Sequence, residues 1–264
     1  MKKTIICQGC WEQMHAPIAI RGPFSLFFRP FGIKKSQMHP NLCTICESMF
    51  TKVKKRKQIS ISTTILFADL RGYTDLSQHA EGSKINELLH HFYDQCSSAI
   101  WEQDGIINKF IGDAVMAIFN FPLTREAHVK HAVNAACQLQ KNCKYLKEEM
   151  GLASEQSLGI GIGIHTGECF LGEVGTSYKD FTAIGPVVNL ASRLQGTAGA
   201  GEILITEDVY NHVCDQFPNA LMKMLTLKGI REPVKAYVLD SNKAVIEKNN
   251  SSSTNISLNS NERR

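Results

Sequence analysis

Long hydrophobic runs are missing from this 264-residue sequence. A membrane-spanning helix needs roughly 20 consecutive apolar residues. No stretch approaches that, so no membrane span is expected. The start, Met1-Lys2-Lys3-Thr4-Ile5-Ile6, opens like a secretory signal, but its apolar run stops at Cys7-Gln8-Gly9, too short for such a signal. An excess of one charge is missing too. Lys+Arg number 29 and Asp+Glu 25, a net +4 that is too weak to indicate nucleic-acid binding. Part of that charge is local, in Lys52, Lys54, Lys55, Arg56 and Lys57. No internal repeat is visible. With 43% hydrophobic and 20% charged residues, the composition excludes a disordered or collagen-like chain. Cysteine, by contrast, is plentiful at nine. In the expected cytoplasmic setting thiols stay reduced, so paired cysteines point to metal rather than disulfides.

Four segments can be read. Residues 1–50 hold four of the nine cysteines with several Pro and Gly. Residues 51–60 carry the basic run and read as a linker or solvated helix. Residues 61–240 alternate strand and helix patterns. Residues 241–264 are mostly Asn, Ser, Lys and Glu. That tail is expected to be disordered, because it cannot bury enough apolar surface to offset the entropy of ordering.

Within the third segment, residues 61–67 are β-branched and apolar, a buried strand. Residues 84–101 place Ile85, Leu88, Leu89, Phe92, Cys96, Ala99 and Ile100 on one helical face, and Gly105 ends the pattern. Residues 106–110 and 114–119 form two strands around a turn at Gly112-Asp113. An Ala-rich helix follows over about 125–150. Strands are then expected at 158–165, 168–174 and 178–184, a helix at 186–195, and strands at 202–205, 222–227 and 234–239. Gly159, Gly161 and Gly163 alternate along one strand. They do not form the G-x-G-x-x-G dinucleotide loop, and close packing against a helix accounts for them. The histidines, His90-His91 and His128/His131 among them, show no clustered partners and read as exposed or core residues.

The order strand–helix–strand–strand–helix–strand defines an α+β, ferredoxin-like βαββαβ core. Its first two strands run parallel, with the third antiparallel between them. The end of the first strand, at Asp69, therefore faces the start of the third, at Asp113. Two facing carboxylates disfavour each other's ionisation unless a cation intervenes. Mg2+ or Mn2+ with substrate phosphate oxygens is one reading. The other is that Asp69 caps the next helix and Asp113 serves its turn.

Five local sequences bear on that choice. Phe67-Ala68-Asp69-Leu70-Arg71-Gly72-Tyr73-Thr74 resembles the first metal-binding motif of class III nucleotidyl cyclases of the bacterial soluble adenylate cyclase type. Asn108-Lys109-Phe110-Ile111-Gly112-Asp113-Ala114 resembles their second, and residues 161–167 their third strand signature. Residues 182–194, from Thr182 through Asn189 to Arg193, resemble the fourth, and Leu227-Lys228-Gly229-Ile230 the last. The order and spacing match over roughly 61–240.

The resemblance implies an adenylate cyclase that turns ATP into 3′,5′-cyclic AMP and pyrophosphate for intracellular signalling. Asp69 and Asp113, with the Leu70 carbonyl, would hold two Mg2+ or Mn2+ ions. Arg193 would stabilise charge on the α-phosphoryl group, Asn189 would orient the ribose, and Lys228 would bind the triphosphate. Lys109 and Thr182 fall at the family's base-reading positions. Adenine needs one donor and one acceptor, which Lys109 and Thr182 supply, so ATP is favoured over GTP. Many relatives carry Asp at the place of Thr182, so selectivity is expected to be looser, and a guanylate-accepting cyclase stays open. So does a catalytically weak nucleotide-sensing module. Many relatives also have Gly-Asp at Gly185-Pro186, where Pro suits a first helical turn. The family builds its site from two protomers, so a homodimer with composite sites is implied. A diguanylate cyclase or polymerase palm shares the strand order but lacks counterparts of Asn189 and Arg193. No nucleic-acid partner is expected.

Cys7-x-x-Cys10 and Cys43-x-x-Cys46 form a paired set suited to tetrahedral Zn2+. The spacing is longer than in usual zinc ribbons, and His15 or His39 could replace one thiol. An iron–sulfur cluster and plain core thiols are the alternatives. The expected organisation is thus a metal-stapled module (1–50), a basic linker (51–60), a catalytic domain (61–240) and a tail (241–264).

Overall fold

The computed structural model describes residues 3–52, 59–152, 158–175, 177 and 180–241. The basic run at 53–57 and the tail from 242 lie outside them. Three short helices come first: α1 (Gln8–Met14), α2 (Ser25–Phe28) and α3 (Thr44–Lys52), with a 3-10 turn at Arg29–Phe31. Strand β1 (Ile59–Arg71), α4 (Tyr73–His79) and α5 (Gly82–Glu102) lead to β2 (Ile106–Ile111) and β3 (Ala114–Phe119). Then follow α6 (His128–Glu149), β4 (Gly159–Val174), β5 (Asp180–Ile184) and α7 (Pro186–Thr197). The described chain closes with β6 (Ile203–Thr206), α8 (Glu207–Tyr210), β7 (Leu221–Leu225) and β8 (Val234–Leu239).

The strands form one sheet in the order β2-β3-β1-β4-β6-β8-β7, with β5 attached to β4. β3 is antiparallel to both β1 and β2, so β1 and β2 are parallel, as the α+β ferredoxin-like order requires. Both sheet faces are covered. Leu66, Ala68 and Leu70 of β1 pack with Phe92 of α5 and Leu139 of α6. Ile65 and Phe67 point the other way, into a layer with Met116, Ile118 and, from α7, Val187 and Ala191. A strand buried on both faces favours apolar residues on both, as at Ile65, Leu66, Phe67 and Ala68, whereas Thr63 and Thr64 are buried as polar residues.

One expectation is corrected. Residues 158–165 and 168–174 are not two strands; β4 is continuous for 16 residues. The polar His165-Thr166-Gly167 step looks like a break, yet it pairs with Ile65, Thr64 and Thr63 of β1. The Thr64 hydroxyl donates to the Thr166 hydroxyl at 3.0 Å, so the polar groups are satisfied inside the sheet.

The alternating glycines of β4 face α7. A Cβ on Gly161 would lie 2.5 Å from Arg71 Nε, and one on Gly163 would collide with the α7 backbone at Gln195 N and Ala191 O. Only hydrogen at Gly163 lets α7 lie directly on the strand.

The N-terminal region is continuous with this packing. Cys7, Cys10, Leu42, Cys43 and Cys46 share one apolar layer with Ile65, Ile106, Met116 and Phe181. Trp101 Nε1 donates to Met38 O at 2.7 Å, and Arg125 ties Glu12 (3.1 Å) to Asp104 (2.7 Å). Among the described residues, no helix is long and apolar enough to cross a membrane.

Candidate active site

Asp69 pairs in register with Ala114, and the Leu70 N–H donates to Asp113 O at 3.1 Å. The β1 end and the β2–β3 turn are therefore stitched together, and the turn is made possible by Gly112 at φ +60°. Burial first, and then the neighbouring Asp113 carboxylate, raise the Asp69 pKa above its ordinary value. The nearest cation, Arg71, lies 3.8 Å from Asp69 Oδ2. Its guanidinium is already engaged by the α7-end carbonyls of Gln195 and Ala198. Two converging carboxylates with their one nearby cation committed elsewhere make a donor set that fits a hard divalent ion.

Helix α7 presents two different faces. Gln195 is buried and donates through Nε2 to Asp69 Oδ2 at 3.0 Å. Asn189 and Arg193 are exposed, and among the described residues their side chains make no hydrogen bond. At 100° per residue, Arg193 and Asn189 lie about 160° and about 120° around the helix from Gln195. In one chain they point away from the carboxylates.

A third constellation joins β2 to β5. Asp180 pairs with Val174 at the far end of β4, yet its carboxylate forms an ion pair with Lys109 on the opposite edge strand. The β4–β5 arm thus folds across the sheet to reach β2. Asn108 Nδ2 donates to Phe181 O at 2.9 Å, which leaves Asn108 Oδ1 to accept the Thr182 hydroxyl at 3.1 Å. Lys109 and Thr182 are brought together by this arm. Lys228 sits exposed in the loop between β7 and β8.

The four cysteines Cys7, Cys10, Cys43 and Cys46 cluster with their sulfurs within 4.8 Å of one another, all buried and none in a disulfide. Sγ–Sγ separations are 3.6 Å for Cys7–Cys46 and 3.4 Å for Cys10–Cys43 and Cys10–Cys46. Backbone N–H groups of Cys10 and Cys43 donate to Cys7 Sγ. Burial pushes the Cys10 thiol up to about 12, a cost that a bound cation removes. His39 takes no part. It is buried with its ring nitrogens facing Trp101 O and Asn41 N.

Four residues of these sites went unread in the sequence: Arg71, Asn108, Asp180 and Gln195. Asp180 was within reach, since it lies two residues before Thr182 on one strand and so shares its face. Gln195 was not, because its partner is 126 positions away.

Paired carboxylates at the β1 end and the β2–β3 turn, with a glycine-backed helix beside them, agree with the arrangement that the resemblance to nucleotidyl cyclases implies. The model of the adenylate and guanylate cyclase catalytic domain family matches residues 55–241, and the chain belongs to that family. An adenylate cyclase of Anabaena cylindrica is 36% identical over 184 residues, covering 66% of this chain and 36% of the relative. Guanylate cyclase 32E of Drosophila melanogaster is 31% identical over 148 residues, covering 56% and 13%. The chain thus spans about a third or less of the length of these relatives. Among solved structures, the adenylyl cyclase CyaB of P. aeruginosa superposes with a TM-score of 0.65 at 33% identity, covering 72% of this chain and 99% of that one.

Proposed function

We propose that the protein is an adenylate cyclase, converting ATP to 3′,5′-cyclic AMP and pyrophosphate at two shared sites of a homodimer. The observation that carries this reading is the two-faced α7. One chain holds Asp69 through Gln195 but turns Asn189 and Arg193 outward, so a second chain must supply them. The Anabaena relative, named an adenylate cyclase, supports the activity.

Asp69, Asp113 and the Leu70 carbonyl would hold two Mg2+ or Mn2+ ions, which when bound acidify the ribose 3′-hydroxyl and neutralise the triphosphate. The residues of this chain do the positioning. Asn189 hydrogen-bonds the ribose and aims its 3′-oxygen in line with the α-phosphorus. Arg193 offers its planar fork to the oxygens of that phosphorus as charge builds there. Lys228 holds the departing pyrophosphate. No protein nucleophile is required, since orientation and charge stabilisation account for the acceleration.

The choice of base follows from hydrogen-bond polarity. Phe181 O can only accept, which fixes the Asn108 amide, and Asn108 Oδ1 in turn takes the Thr182 proton. The Thr182 lone pairs are left to accept the adenine 6-amino group, while Lys109 donates to N1. Guanine would set its O6 lone pairs against those of Thr182.

The cysteine cluster suits structural Zn2+. A tetrahedron with Zn–S bonds of about 2.3 Å has S–S edges of about 3.8 Å, close to the separations found. The reading also places the enzyme in intracellular signal transduction in the cytoplasm, with residues 1–50 as the metal-stapled module and 61–240 as the catalytic domain.

The test is to incubate the purified chain with ATP or GTP and Mn2+ and measure cyclic nucleotide. Cyclic AMP should predominate, and Asp69→Ala and Arg193→Ala should each abolish it. In an exchanging mixture of the two variants half the dimers carry one intact site, so about a quarter of the activity should return. No cyclic nucleotide from the wild type sinks the activity; no recovery on mixing sinks the shared site.

A further inference from the structure

The most exposed aromatic side chains among the described residues lie on the segment joining α1 to α3. Phe24 is 66% exposed, Leu26 59%, Phe27 73% and Phe31 80%, and Ile5 beside them is 61% exposed. A soluble surface shows single apolar residues often, but not contiguous aromatics of this extent without a partner. These side chains stand on a projection. It begins at Gly22 and ends at Gly32, both at positive φ and both with nothing within 4 Å of a notional Cβ. Between them run the four-residue α2 and the 3-10 turn. Phe24, Phe27 and Phe28 follow helical i, i+3, i+4 spacing and line an open apolar groove of about 430 Å3 with Ile5, Ile6 and Pro17.

The charge around this projection is one-sided. From residue 13 to residue 46 the sequence contains no Asp or Glu. Arg29, Lys34 and Lys35 are exposed and flank the aromatic residues. Arg21 is turned inward, donating to Thr4 O and Pro40 O, and so fastens the base of the projection to the cysteine-bearing core. Exposed aromatic side chains flanked in sequence by cations, in a stretch that carries no Asp or Glu, match the interface of a bilayer with anionic headgroups. Rings settle at headgroup depth while Lys and Arg meet lipid phosphates.

We propose that Phe24, Phe27 and Phe31, with Arg29, Lys34 and Lys35, dock the protein peripherally on an anionic lipid surface. The aromatic tips enter the headgroup layer, the groove takes up acyl-chain methylenes, and the cations neutralise headgroup charge. The catalytic domain is then held at the membrane without crossing it. This rests on the N-terminal region alone and stands or falls apart from the cyclase reading.

The experiment is co-sedimentation of the full chain with sucrose-loaded vesicles of phosphatidylcholine and phosphatidylserine in a three-to-one ratio, beside vesicles of phosphatidylcholine only. The wild type should pellet with the mixed vesicles and not with the neutral ones, and added salt should release it. Lys34→Glu with Lys35→Glu should lower the partition coefficient about twentyfold or more, at roughly fivefold per cation. Phe27→Ser with Phe31→Ser should lower it on the order of a hundredfold. Both variants alter exposed side chains, so their thermal melts should match the wild type, and the charge variant serves if the serine variant does not fold. A wild type that stays in the supernatant overturns the proposal. So do variants that pellet like the wild type, or a Phe27→Ser, Phe31→Ser variant whose main change is conversion of a dimer to a monomer in gel filtration, since the patch would then be a protein–protein contact.

Discussion

The amide of Asn108 accepts the Thr182 hydroxyl proton, and in the proposed reading this orientation selects the base. Its own orientation is set by Phe181 O, a carbonyl that can only accept. Removing the amide frees the hydroxyl to rotate and to donate instead of accept. Asn108→Ala should therefore raise the GTP-to-ATP ratio of kcat/KM about tenfold, on the order of one hydrogen bond, as read from cyclic GMP and cyclic AMP formed side by side. An unchanged ratio would remove Asn108 from base selection. The adjoining Lys109–Asp180 pair is partly exposed. Such pairs contribute little stability, so its significance lies in where it holds the Lys109 amine.

At the scale of elements, β4 and α7 depend on each other. The strand can carry α7 only where it lacks side chains, and α7 carries both the grip on Asp69 and the outward Asn189 and Arg193. Gly163→Ala should force α7 outward. The expected loss is about 2 kcal/mol, as for an overpacked core site, or about 5 °C in Tm by scanning calorimetry, with a matching fall in cyclase rate. Gly172→Ala on the same strand, where a Cβ meets nothing within 4 Å, should leave Tm unchanged. Equal effects at the two positions would show that close approach is not the reason for the glycines.

At the scale of the molecule, the cysteine cluster and the catalytic sheet are one packed body. The sulfurs lie in the same apolar layer as Phe67, Phe181, Val187 and Ala191, which belong to β1, the β4–β5 arm and α7. A structural ion supplies folding energy directly. Chelation, or Cys43→Ser, should release about one equivalent of zinc by elemental analysis and lower Tm on the order of 10 °C, with loss of cyclase activity. A protein that keeps its Tm and rate after the metal is gone would show the two parts to be independent.

Local pattern was enough to read most strands and helices, the β2–β3 turn and the facing of Asp69 and Asp113. Each follows from periodicity, a turn signal or the handedness of a crossover, which act over a few residues or a single connection. The cysteine pairs were legible as a set because their spacing is itself chemical. Tertiary structure alone decided the continuity of β4, whose polar middle is satisfied by Thr64 of a distant strand. It decided the fold-back of the β4–β5 arm that sets Asp180 against Lys109, and the division of α7 between Gln195 inward and Arg193 outward. Each of these depends on which groups, separated by some seventy to more than a hundred positions, come within hydrogen-bonding distance. No local propensity encodes that, because it is fixed by the packing of the whole sheet.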